Sequence, residues 1–510
     1  MGIPKEAYEA LQSIVGPDWV SDDPAIRIAD TKGGYATGIL DVNAFVPACS
    51  IQPGSGEEVQ QIVKVANRYK IPYIPISTFF TAQSAPSVEN ALMLDLKRMD
   101  KVEINEKDLY AIVEPGISFS MLQAELLKRD LLTFVPTCGA QASVLANHVH
   151  CGEAPLSWRM GFGYRRILAT EWVLPDGELL KLGSRSYLKE YFWGEGPGPD
   201  LRAILRGNEG HEGGLGAVTK MAVKIFPFIP EKLVPQGVSP RTTLKLPKNR
   251  MKWFNVTLPN RKKAIDFLYE IGRCEIGLMV STIPPLFRYV ARGRGQGVAA
   301  FWENWNRFGE TADKDAMDIR ILLFGWTSEK HLAYEEKVLV DVVNEYGGVA
   351  NEAPPRDESN FMSADAVCSW FIGGRFLSQV YYESLDSGLH TEKEVRAIGR
   401  KRTPPLADTW DTPGMWAAYD FGHFSKQESL NYVDEKEIEA LQAHEQDCRE
   451  NDLKIGGYAI MESARMFGKA WYNYDQKMSE LKKIFDPNNL SNPPKPIERP
   501  LFTKKDAQPK

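Results

Sequence analysis

The chain has 510 residues, of which 43% are hydrophobic and 25% are charged, and its formal net charge is −6. A single hydrophobic core stops growing at roughly 250–300 residues, so this length predicts two domains or one domain with a large insertion. The mildly acidic charge gives no support for nucleic-acid binding, and without a run of about 18 apolar residues we expect no membrane span.

Cysteine usage bears on metal binding and on the cellular compartment. The six cysteines show no Cys-x-x-Cys spacing: Cys49, Cys138, Cys151, Cys274, Cys368 and Cys448. We therefore expect neither a zinc site nor an iron–sulfur cluster. The pattern is typical of reduced, partly buried thiols in a cytoplasmic protein. The N-terminus also lacks the basic-then-apolar order of a signal peptide.

The beginning of the chain predicts a β-α-β unit. Residues 1–45 have mainly helical patterns. A helix is predicted from Glu57 to Tyr69, because its apolar residues share one face: Val59, Ile62, Val63 and Ala66. The run IPYIPIS after this helix is a short β-like segment bounded by prolines.

Further strands complete the first 228 residues. LMLDL and LYAIVEPG indicate strands, and SFSMLQAELLKRD indicates a helix with Ser118 as its N-cap. In ILATEWVLPDGELLKLG, Pro175-Asp176-Gly177 predicts a turn between two strands, because proline fixes φ and glycine supplies positive φ. The alternating GLGAVTKMAVKIFPF then closes a first domain, residues 1–228.

Residues 229–455 mix strands with long amphipathic helices and predict a second α+β domain. The strands are MKWFNVTLP and IRILLFGW, and the helices are HLAYEEKVLVDVVNEYG and DEKEIEALQAHEQDCREND. A helical C-terminal segment, residues 456–510, has a stop signal at Asp486-Pro487-Asn488-Asn489.

Taken in order, these pieces resemble the vanillyl-alcohol oxidase and 4-cresol dehydrogenase (hydroxylating) flavoproteins. The resemblance rests on five segments: residues 53–66, LDLKRMDKVEINEKDLYAIVEPGISFSMLQAEL, EWVLPDGELLKLG, GPGPDLRAILRGNEGHEGGLGAVTKMAVKIFP and KIFDPNNLSNP. Each segment alone is a weak signal, but all five occur in the family's order.

The resemblance implies an α+β fold. It consists of a two-subdomain, PCMH-type FAD-binding domain with two small sheets, and an inserted substrate (cap) domain. The cap carries a seven-stranded antiparallel sheet with flanking helices, and the C-terminal segment returns to the FAD-binding domain. Family members transfer a hydride from an alkylphenol, aromatic alcohol or hydroxy acid to N5 of FAD. They then pass electrons to oxygen, a cytochrome or another partner.

The family's glycine-rich pyrophosphate loop is altered in PISTFFTAQSAPSVENALMLDL. Such loops use glycine so that consecutive N–H groups line a concavity. Here the flanks remain, but the loop is about three residues shorter and Phe79 and Phe80 lie where the pyrophosphate is expected. Either the loop is rebuilt around four hydroxyls or it no longer binds phosphate. The four are Ser77, Thr78, Thr81 and Ser84.

Two further segments correspond to flavin contacts in the family. The first is PTCGAQASVLANHVHCGEAP, whose small or polar residues permit close approach to a ligand: Gly139, Ala140, Ala142, Ser143 and Asn147. With a histidine partner such as His148 or His150, Cys151 could be a nucleophile or flavin-attachment thiol, or these are packed polar residues at a turn. The second is Gly216-Ala217-Val218-Thr219, on the adenine side.

Upstream of that second contact, His211-Glu212-Gly213 looks like extra sequence. We expect His211 to be a surface-loop residue.

The family's catalytic residues do not carry over. Its aspartate near N5 maps close to Phe162, and its Tyr-Arg pair maps to Met461-Glu462. Three residues remain as candidates in the C-terminal segment: Tyr458, Arg465 and Tyr472. Arg465 either binds an acidic or phenolic group or forms an ordinary surface ion pair.

Three hypotheses follow. The first is an FAD-dependent oxidoreductase that acts on a small molecule. The second is a non-catalytic paralogue that pairs, as a structural subunit, with an active flavoprotein. The third uses the groove for another nucleotide, or for thiol chemistry at Cys138 or Cys151. The family often forms dimers or larger assemblies, and some members use an electron-transfer partner.

Overall fold

Short strands and amphipathic helices alternate along the first part of the chain. The computed structural model describes residues 2–31, 45–79, 85–136, 139–150, 152–183, 198–207, 210–236, 243–282, 303, 307, 316–353, 375–406, 415–433, 435–455 and 473–493. The helices described before residue 228 are α1 (Lys5–Val15), α2 (Pro24–Ala29), α3 (Gly56–Tyr69), α4 (Phe119–Leu127), α5 (Val144–His150), α6 (Ser157–Met160) and α7 (Arg202–Leu205). The strands there are β1 (Val20–Ser21), β2 (Cys49–Ile51), β3 (Tyr73–Ile76), β4 (Leu92–Asp95), β5 (Val102–Asn105), β6 (Tyr110–Val113), β7 (Leu131–Leu132), β8 (Ile167–Val173), β9 (Leu179–Leu182), β10 (Ala217–Lys224) and β11 (Phe226–Pro227).

The later part of the chain adds longer elements. Its described helices are α8 (Arg261–Arg273), α9 (Glu329–Glu345), α10 (Leu385–Arg400), α11 (Ile438–Ile455) and α12 (Tyr474–Phe485). Its strands are β12 (Val234–Gln236), β13 (Thr243–Lys245), β14 (Met251–Leu258), β15 (Met279–Ser281), β16 (Met317–Phe324), β17 (Val349–Glu352), β18 (Arg375–Glu383), β19 (Met415–Tyr419) and β20 (Phe424–Val433). Within the described ranges, no helix is long and apolar enough to cross a membrane.

Two small sheets form the first part of the molecule. The first has the order β1-β2-β4-β3, in which β2 and β3 both run parallel to β4. The second has the order β5-β6-β10-β8-β9 and is antiparallel. The predicted β-α-β opening is therefore confirmed, with α3 as the crossover helix.

The helices form where the local sequence predicts them. In α3, the N-cap Ser55 accepts a hydrogen bond from Glu58 N, and the helix buries the predicted face: Val59, Ile62, Val63 and Ala66. Ser118 caps α4 in the same way and accepts from Met121 N. A side-chain oxygen at each N-cap satisfies an N–H that has no partner within the helix. Both predicted helices are confirmed.

The second, larger sheet has seven strands in the order β17-β14-β16-β15-β19-β20-β18. All of its neighbouring pairs are antiparallel, as the resemblance implies. One face packs on α8 and α9 through an apolar cluster that includes Phe267, Leu268 and Leu339. The other face contributes Trp253 and Leu322 to the core that contains Trp172 of β8.

Polar contacts also cross from the first part of the molecule to the sheet. The indole Nε1 of Trp158 donates to Ile276 O at 2.8 Å, and Trp158 is fully buried. Arg159 Nη1 donates to Gly277 O at 3.1 Å and lies 3.4 Å from a carboxylate oxygen of the buried Glu335. The sheet is thus fixed against the segment that follows α5. The domain limits near residues 228 and 455 stay a prediction.

The chain crosses itself closely at Gly152 and Gly163, just after α5. A Cβ at Gly152 would lie 2.3 Å from Gly163 Cα, and Gly152 has φ +69°. Gly163 N donates to Gly152 O at 2.7 Å. Only glycine permits both the positive φ and this approach.

Gly152→Ala should therefore destabilise the protein more than an alanine substitution at a glycine that has a positive φ but no close neighbours. Gly347→Ala is the matched control, because Gly347 has φ +72° and no atom lies within 4 Å of its Cβ position. We expect about 1–2 kcal/mol for the control and about 1–3 kcal/mol more for Gly152→Ala from overpacking. Thermal unfolding of both variants measures the difference. Equal midpoints would contradict the close approach.

Candidate functional site

Three segments of the first part of the chain enclose a cleft of about 190 Å³. The walls are the residues that follow β3, the helix α5 with the residues before it, and the turn at 211–218 that leads into β10. Residues predicted to contact the cofactor line this cleft, among them Ser77, Thr78, Ser143, Asn147, Gly216 and Val218. The fold thus brings together residues that lie up to about 140 positions apart in the sequence.

The other predicted residues have different positions. Gly139 and Ala140 are described but do not line the cleft. Their turn lies against the start of α4, where Ser120 N donates to Ala140 O at 2.9 Å. The remaining candidates lie outside the described residues: Thr81, Ser84, Tyr458, Arg465 and Tyr472. Phe80, Cys138 and Cys151 also lie outside them.

Thr78 and Ser143 join two walls of the cleft. The backbone N–H of Ser143 donates to Thr78 Oγ1 at 3.1 Å, and Ser143 Oγ donates to Pro115 O at 2.7 Å. The hydroxyl of Ser143 is therefore used to anchor the start of α5. Because a threonine hydroxyl can accept and donate at once, Thr78 keeps a hydrogen that a phosphate oxygen could accept.

Asn147 tests whether the cleft suits a nucleotide. Its Oδ1 is buried and has no hydrogen-bond partner within the described part of the chain. A buried polar atom without a partner costs about 1–3 kcal/mol. Because Asn147 lines the cleft, a ligand with hydroxyl or amide groups would satisfy this atom. The lining is mainly apolar, with a few polar side chains such as Thr78 and Asn147, which is typical of a cofactor or small-molecule site.

Phe79 occupies a backbone position that favours glycine. Its φ is +49°, in the left-handed region, and its side chain lines the cleft. The ring also packs on a small apolar cluster that includes Ile74, Ile76 and Met93. A bulky residue in this region costs about 1–2 kcal/mol. The loop thus keeps a left-handed turn beside the cleft without the glycine that would relieve the strain.

His211 was expected on the surface, and this expectation is wrong. The residue is only 5% exposed and lines the cleft. Its Nδ1 accepts a hydrogen bond from Leu215 N at 3.4 Å. Burial, and then the nearby Lys482, lower the pKa of His211 to about 4. The C-terminal segment covers this turn, and that cover is not visible in the local sequence.

The two histidines of α5 point in different directions. His148 is fully buried, and its Nδ1 lies 2.7 Å from Val144 O. Its ring centroid lies 5.1 Å from that of Phe134 and 6.0 Å from that of Phe119. Burial, and then the charge of Arg166, lower the pKa of His148 to about 3. His148 therefore belongs to the core, whereas His150 lines the cleft.

The C-terminal segment clamps the turn at 211–218. Lys482 Nζ donates to Gly214 O at 2.5 Å, to Asp486 Oδ2 at 2.7 Å and to Ser491 O at 2.6 Å. Ser491 Oγ donates to Gly213 O at 2.6 Å and accepts from Gly216 N at 2.8 Å. Tyr73 of β3 also pairs with this segment, through Tyr73 N to Leu490 O at 2.8 Å. The segment KIFDPNNLSNP resembles a family signature, but its sequence does not show this role.

The position nearest the family's expected aspartate is apolar. Phe162 is 2% exposed. Its ring centroid lies 5.4 Å from that of Tyr164, 5.3 Å from Tyr419 and 5.6 Å from Phe424. Phe162 therefore cannot take up a proton.

One protein-family model matches the part of the chain that forms most of the cleft. Residues 47–183 match the family described as FAD binding domain. The matched segment holds two of the three cleft walls. This part of the chain is therefore similar to an FAD-binding domain. The third wall, at 211–218, lies C-terminal to the matched residues.

Several curated proteins resemble part of the chain. It is 28% identical over 239 residues to 1'-carboxy-chondrochloren decarboxylase of Chondromyces crocatus, across 44% of this chain and 40% of that protein. It is 24% identical over 295 residues to the 4-cresol dehydrogenase (hydroxylating) flavoprotein subunit of Pseudomonas putida, across 55% of this chain and 54% of that protein. The chain thus spans about half or less of the length of these relatives.

Solved structures match almost the whole chain. A structure of p-cresol methylhydroxylase with substrate bound has a TM-score of 0.76 at 17% identity and covers 96% of this chain and 97% of that one. Alkyldihydroxyacetonephosphate synthase has a TM-score of 0.69 at 17% identity and covers 96% and 86%. At this identity the likeness shows the fold. The predicted PCMH-type α+β fold is confirmed.

Lys482→Met should loosen the cleft. The variant leaves the Asp486 carboxylate buried without its cation, which costs about 3–5 kcal/mol. Lys483→Met is the matched control, because Lys483 is exposed on the same helix. We expect a lower thermal midpoint and less retained FAD for Lys482→Met alone. Equal behaviour of the two variants would contradict the clamp.

Buried histidines should make the protein sensitive to acid. Burial is the largest cause that lowers the pKa of His148 to about 3 and those of His211 and His444 to about 4. Their ordinary pKa is about 6.5. Below about pH 6.5 the unfolded chain takes up protons that the folded chain does not, so stability is full above that pH and falls as the pH drops toward 4. The slope is about 1.4 kcal/mol per pH unit for each histidine.

Thermal midpoints between pH 7 and pH 4 measure this loss. His148→Phe should flatten the curve, because the phenyl ring cannot take up a proton. His423→Gln is the control at an exposed histidine. If stability falls with pH as steeply in His148→Phe as in the wild type, His148 does not contribute to the acid sensitivity.

Proposed function

We propose that this protein is an FAD-dependent oxidoreductase. The observation that carries the proposal is the cleft, in which residues predicted to contact the cofactor meet and the buried Oδ1 of Asn147 lacks a partner within the described residues. Its substrate is an aromatic alcohol, an alkylphenol or a hydroxy acid. Bound flavin supplies the chemistry by accepting a hydride from the substrate carbon.

The chain's own residues hold the nucleotide part of the cofactor. The Thr78 hydroxyl and the Asn147 amide supply polar contacts, and Gly216 and Val218 form the third wall without long side chains. Gly216 cannot be replaced, because its Cβ would lie 2.2 Å from Val173 O. The Gly216 N–H is already used by Ser491 Oγ, so this residue acts through close approach and not as a donor.

Relatives and neighbours suggest the substrates to try. Their names refer to 4-cresol, 4-ethylphenol, D-lactate and glycolate. These are two alkylphenols and two hydroxy acids. We therefore choose 4-cresol, 4-hydroxybenzyl alcohol, D-lactate and glycolate as a panel, and anaerobic bleaching of the flavin as the measure of substrate oxidation.

FAD binding is tested first. Purified protein incubated with FAD and freed of excess ligand should keep the visible absorbance of flavin.

Asn147→Leu should weaken FAD binding by about tenfold, because one hydrogen bond in a buried site contributes about 1–2 kcal/mol. Phe79→Gly should raise the flavin content, because the ring leaves the cleft, whereas Phe79→Leu keeps an apolar side chain and serves as the control. A wild-type protein that stays colourless would overturn the proposal.

The second candidate function is a non-catalytic subunit that pairs with an active flavoprotein of the same family. The strained Phe79 beside the cleft and the apolar Phe162 favour it. This candidate requires a partner, which is a paralogous flavoprotein, whereas the first allows a homodimer or a larger assembly, or an electron-transfer protein as acceptor. Co-purification of a flavin-containing partner with a colourless chain supports this candidate, and dye reduction by the isolated chain with a panel compound rejects it.

A further inference from the structure

The segment His211-Glu212-Gly213, which looks like extra sequence, forms part of the third wall of the cleft. Glycines on both sides of His211 bring its backbone close to two other elements. A Cβ at Gly210 would lie 2.6 Å from Val149 O in α5, and a Cβ at Gly213 would lie 2.7 Å from the ring of Pro75 in β3. The segment is therefore fixed between the end of α5 and the end of β3.

Contacts from the C-terminal segment hold the same three residues. Ser491 Oγ donates to Gly213 O at 2.6 Å, and the side-chain amide of Asn492 donates to Glu212 O. Glu212 has a left-handed φ of +44°, which costs free energy in a residue other than glycine. Such strain persists only where the surrounding structure imposes it, and it is common at ligand sites. The segment thus keeps one conformation beside the cleft.

The single hydrogen on the ring nitrogens of His211 lies on Nε2. His211 Nδ1 accepts a hydrogen bond from Leu215 N at 3.4 Å, so this nitrogen carries no hydrogen. Burial, and then the charge of Lys482, lower the pKa of the ring to about 4, so the ring is neutral at pH 7. A neutral imidazole has one N–H, which must therefore be at the other nitrogen. His211 is thus a hydrogen-bond donor without charge.

This Nε2–H has no acceptor within the described part of the chain. The ring of His211 makes its hydrogen bond there through Nδ1, to Leu215 N. The residue is 5% exposed and lines the cleft. A buried donor without an acceptor is costly, and a ligand in the cleft would remove that cost. Asn147 Oδ1, on the wall formed by α5, is a second polar atom in this situation.

The ligand group that fits these donors is an anionic oxygen. His211 shares the cleft with Ser77 and Thr78, which flank the altered pyrophosphate loop. The Lys482 cation acts on His211 more strongly than the Glu212 carboxylate does, so these two charges together favour a negative group at the ring. A phosphate oxygen can accept from Nε2–H and from a hydroxyl at once, and a charged acceptor makes both hydrogen bonds stronger.

We propose that His211 binds a phosphate oxygen of the flavin dinucleotide through its Nε2–H, as an uncharged donor. This assignment rests on the proposed FAD-dependent function. The donor comes from the third wall and takes the place of a backbone N–H that a glycine-rich loop would supply after β3. The loop can therefore carry Phe79 in place of a glycine while the phosphate still has a donor.

Three variants test the donor. His211→Phe removes the N–H and keeps a ring, and His211→Gln keeps an N–H donor near the position of Nε2. His148→Phe is the matched control, because His148 is also buried but does not line the cleft. We expect His211→Phe to weaken FAD binding by about tenfold or more. His211→Gln should recover most of that loss, and His148→Phe should remain near wild type.

Thermal midpoints of the three variants show whether each one is folded. Equal FAD affinity in His211→Phe and the wild type overturns the proposal, as does an equal loss in His148→Phe. A loss as large in folded His211→Gln as in His211→Phe also overturns it, because the N–H donor is then not what matters.

ADP separates recognition of phosphate from contacts with the flavin ring. It carries the diphosphate without the flavin, so it should displace FAD from the wild type. It should bind to His211→Phe about tenfold or more weakly than to the wild type. Equal ADP affinity in the two proteins, or no displacement of FAD by ADP, overturns the assignment to phosphate.

Nitrogen NMR of the histidine rings gives a readout that needs no turnover. Isotope-labelled wild-type protein should show a neutral ring with its hydrogen on Nε2 for His211, whose signals are identified by their loss in His211→Gln. Added FAD should shift the Nε2 signal. A hydrogen on Nδ1 in the free protein, or an Nε2 signal that bound FAD does not shift, overturns the proposal. A wild-type protein that binds no FAD instead overturns the oxidoreductase function, so the two failures are distinct.

Discussion

The ammonium group of Lys482 is the contact on which the cofactor side of this molecule depends. An ammonium has three donors, and all three are used, on Gly214 O, Asp486 Oδ2 and Ser491 O. The bond to Gly214 joins residues 268 positions apart. It holds the turn at 211–218 against β3, where a Cβ at Gly213 would lie 2.7 Å from the ring of Pro75. Together with the bonds of Ser491 to Gly213 O and Gly216 N, this contact fixes the third wall of the cleft.

Local structure could be predicted because its causes lie within a few residues. The apolar face of α3, the Ser118 cap and the Pro175-Asp176-Gly177 turn each depend on neighbours in the sequence, and all three form as expected. The burial of His211 could not be predicted in this way. Its turn is polar and glycine-rich, which is typical of a surface loop, and it is covered by residues that follow about 270 positions later.

The cleft and the boundary with the large sheet differ in the same respect. The family resemblance pointed to Ser77, Asn147 and Gly216, and all three line the cleft. At the boundary, Glu153 meets Tyr419 and Lys426 across 266 and 273 positions. That meeting depends on the register of β19 and β20 and on the packing of two domains. A lysine on a strand face that packs against another domain is a signal, but the sequence alone does not show which face is covered.

Two polar or strained features depart from local rules. Phe79 has a left-handed φ without glycine and so carries backbone strain beside the cleft. Glu153 is paired with Lys426 and Tyr419 where the first part of the molecule meets the large sheet. Apolar residues of similar volume usually replace a buried ion pair without loss of stability, and often with a gain. Net stability alone therefore does not explain why a carboxylate lies between a lysine and a tyrosine at this boundary.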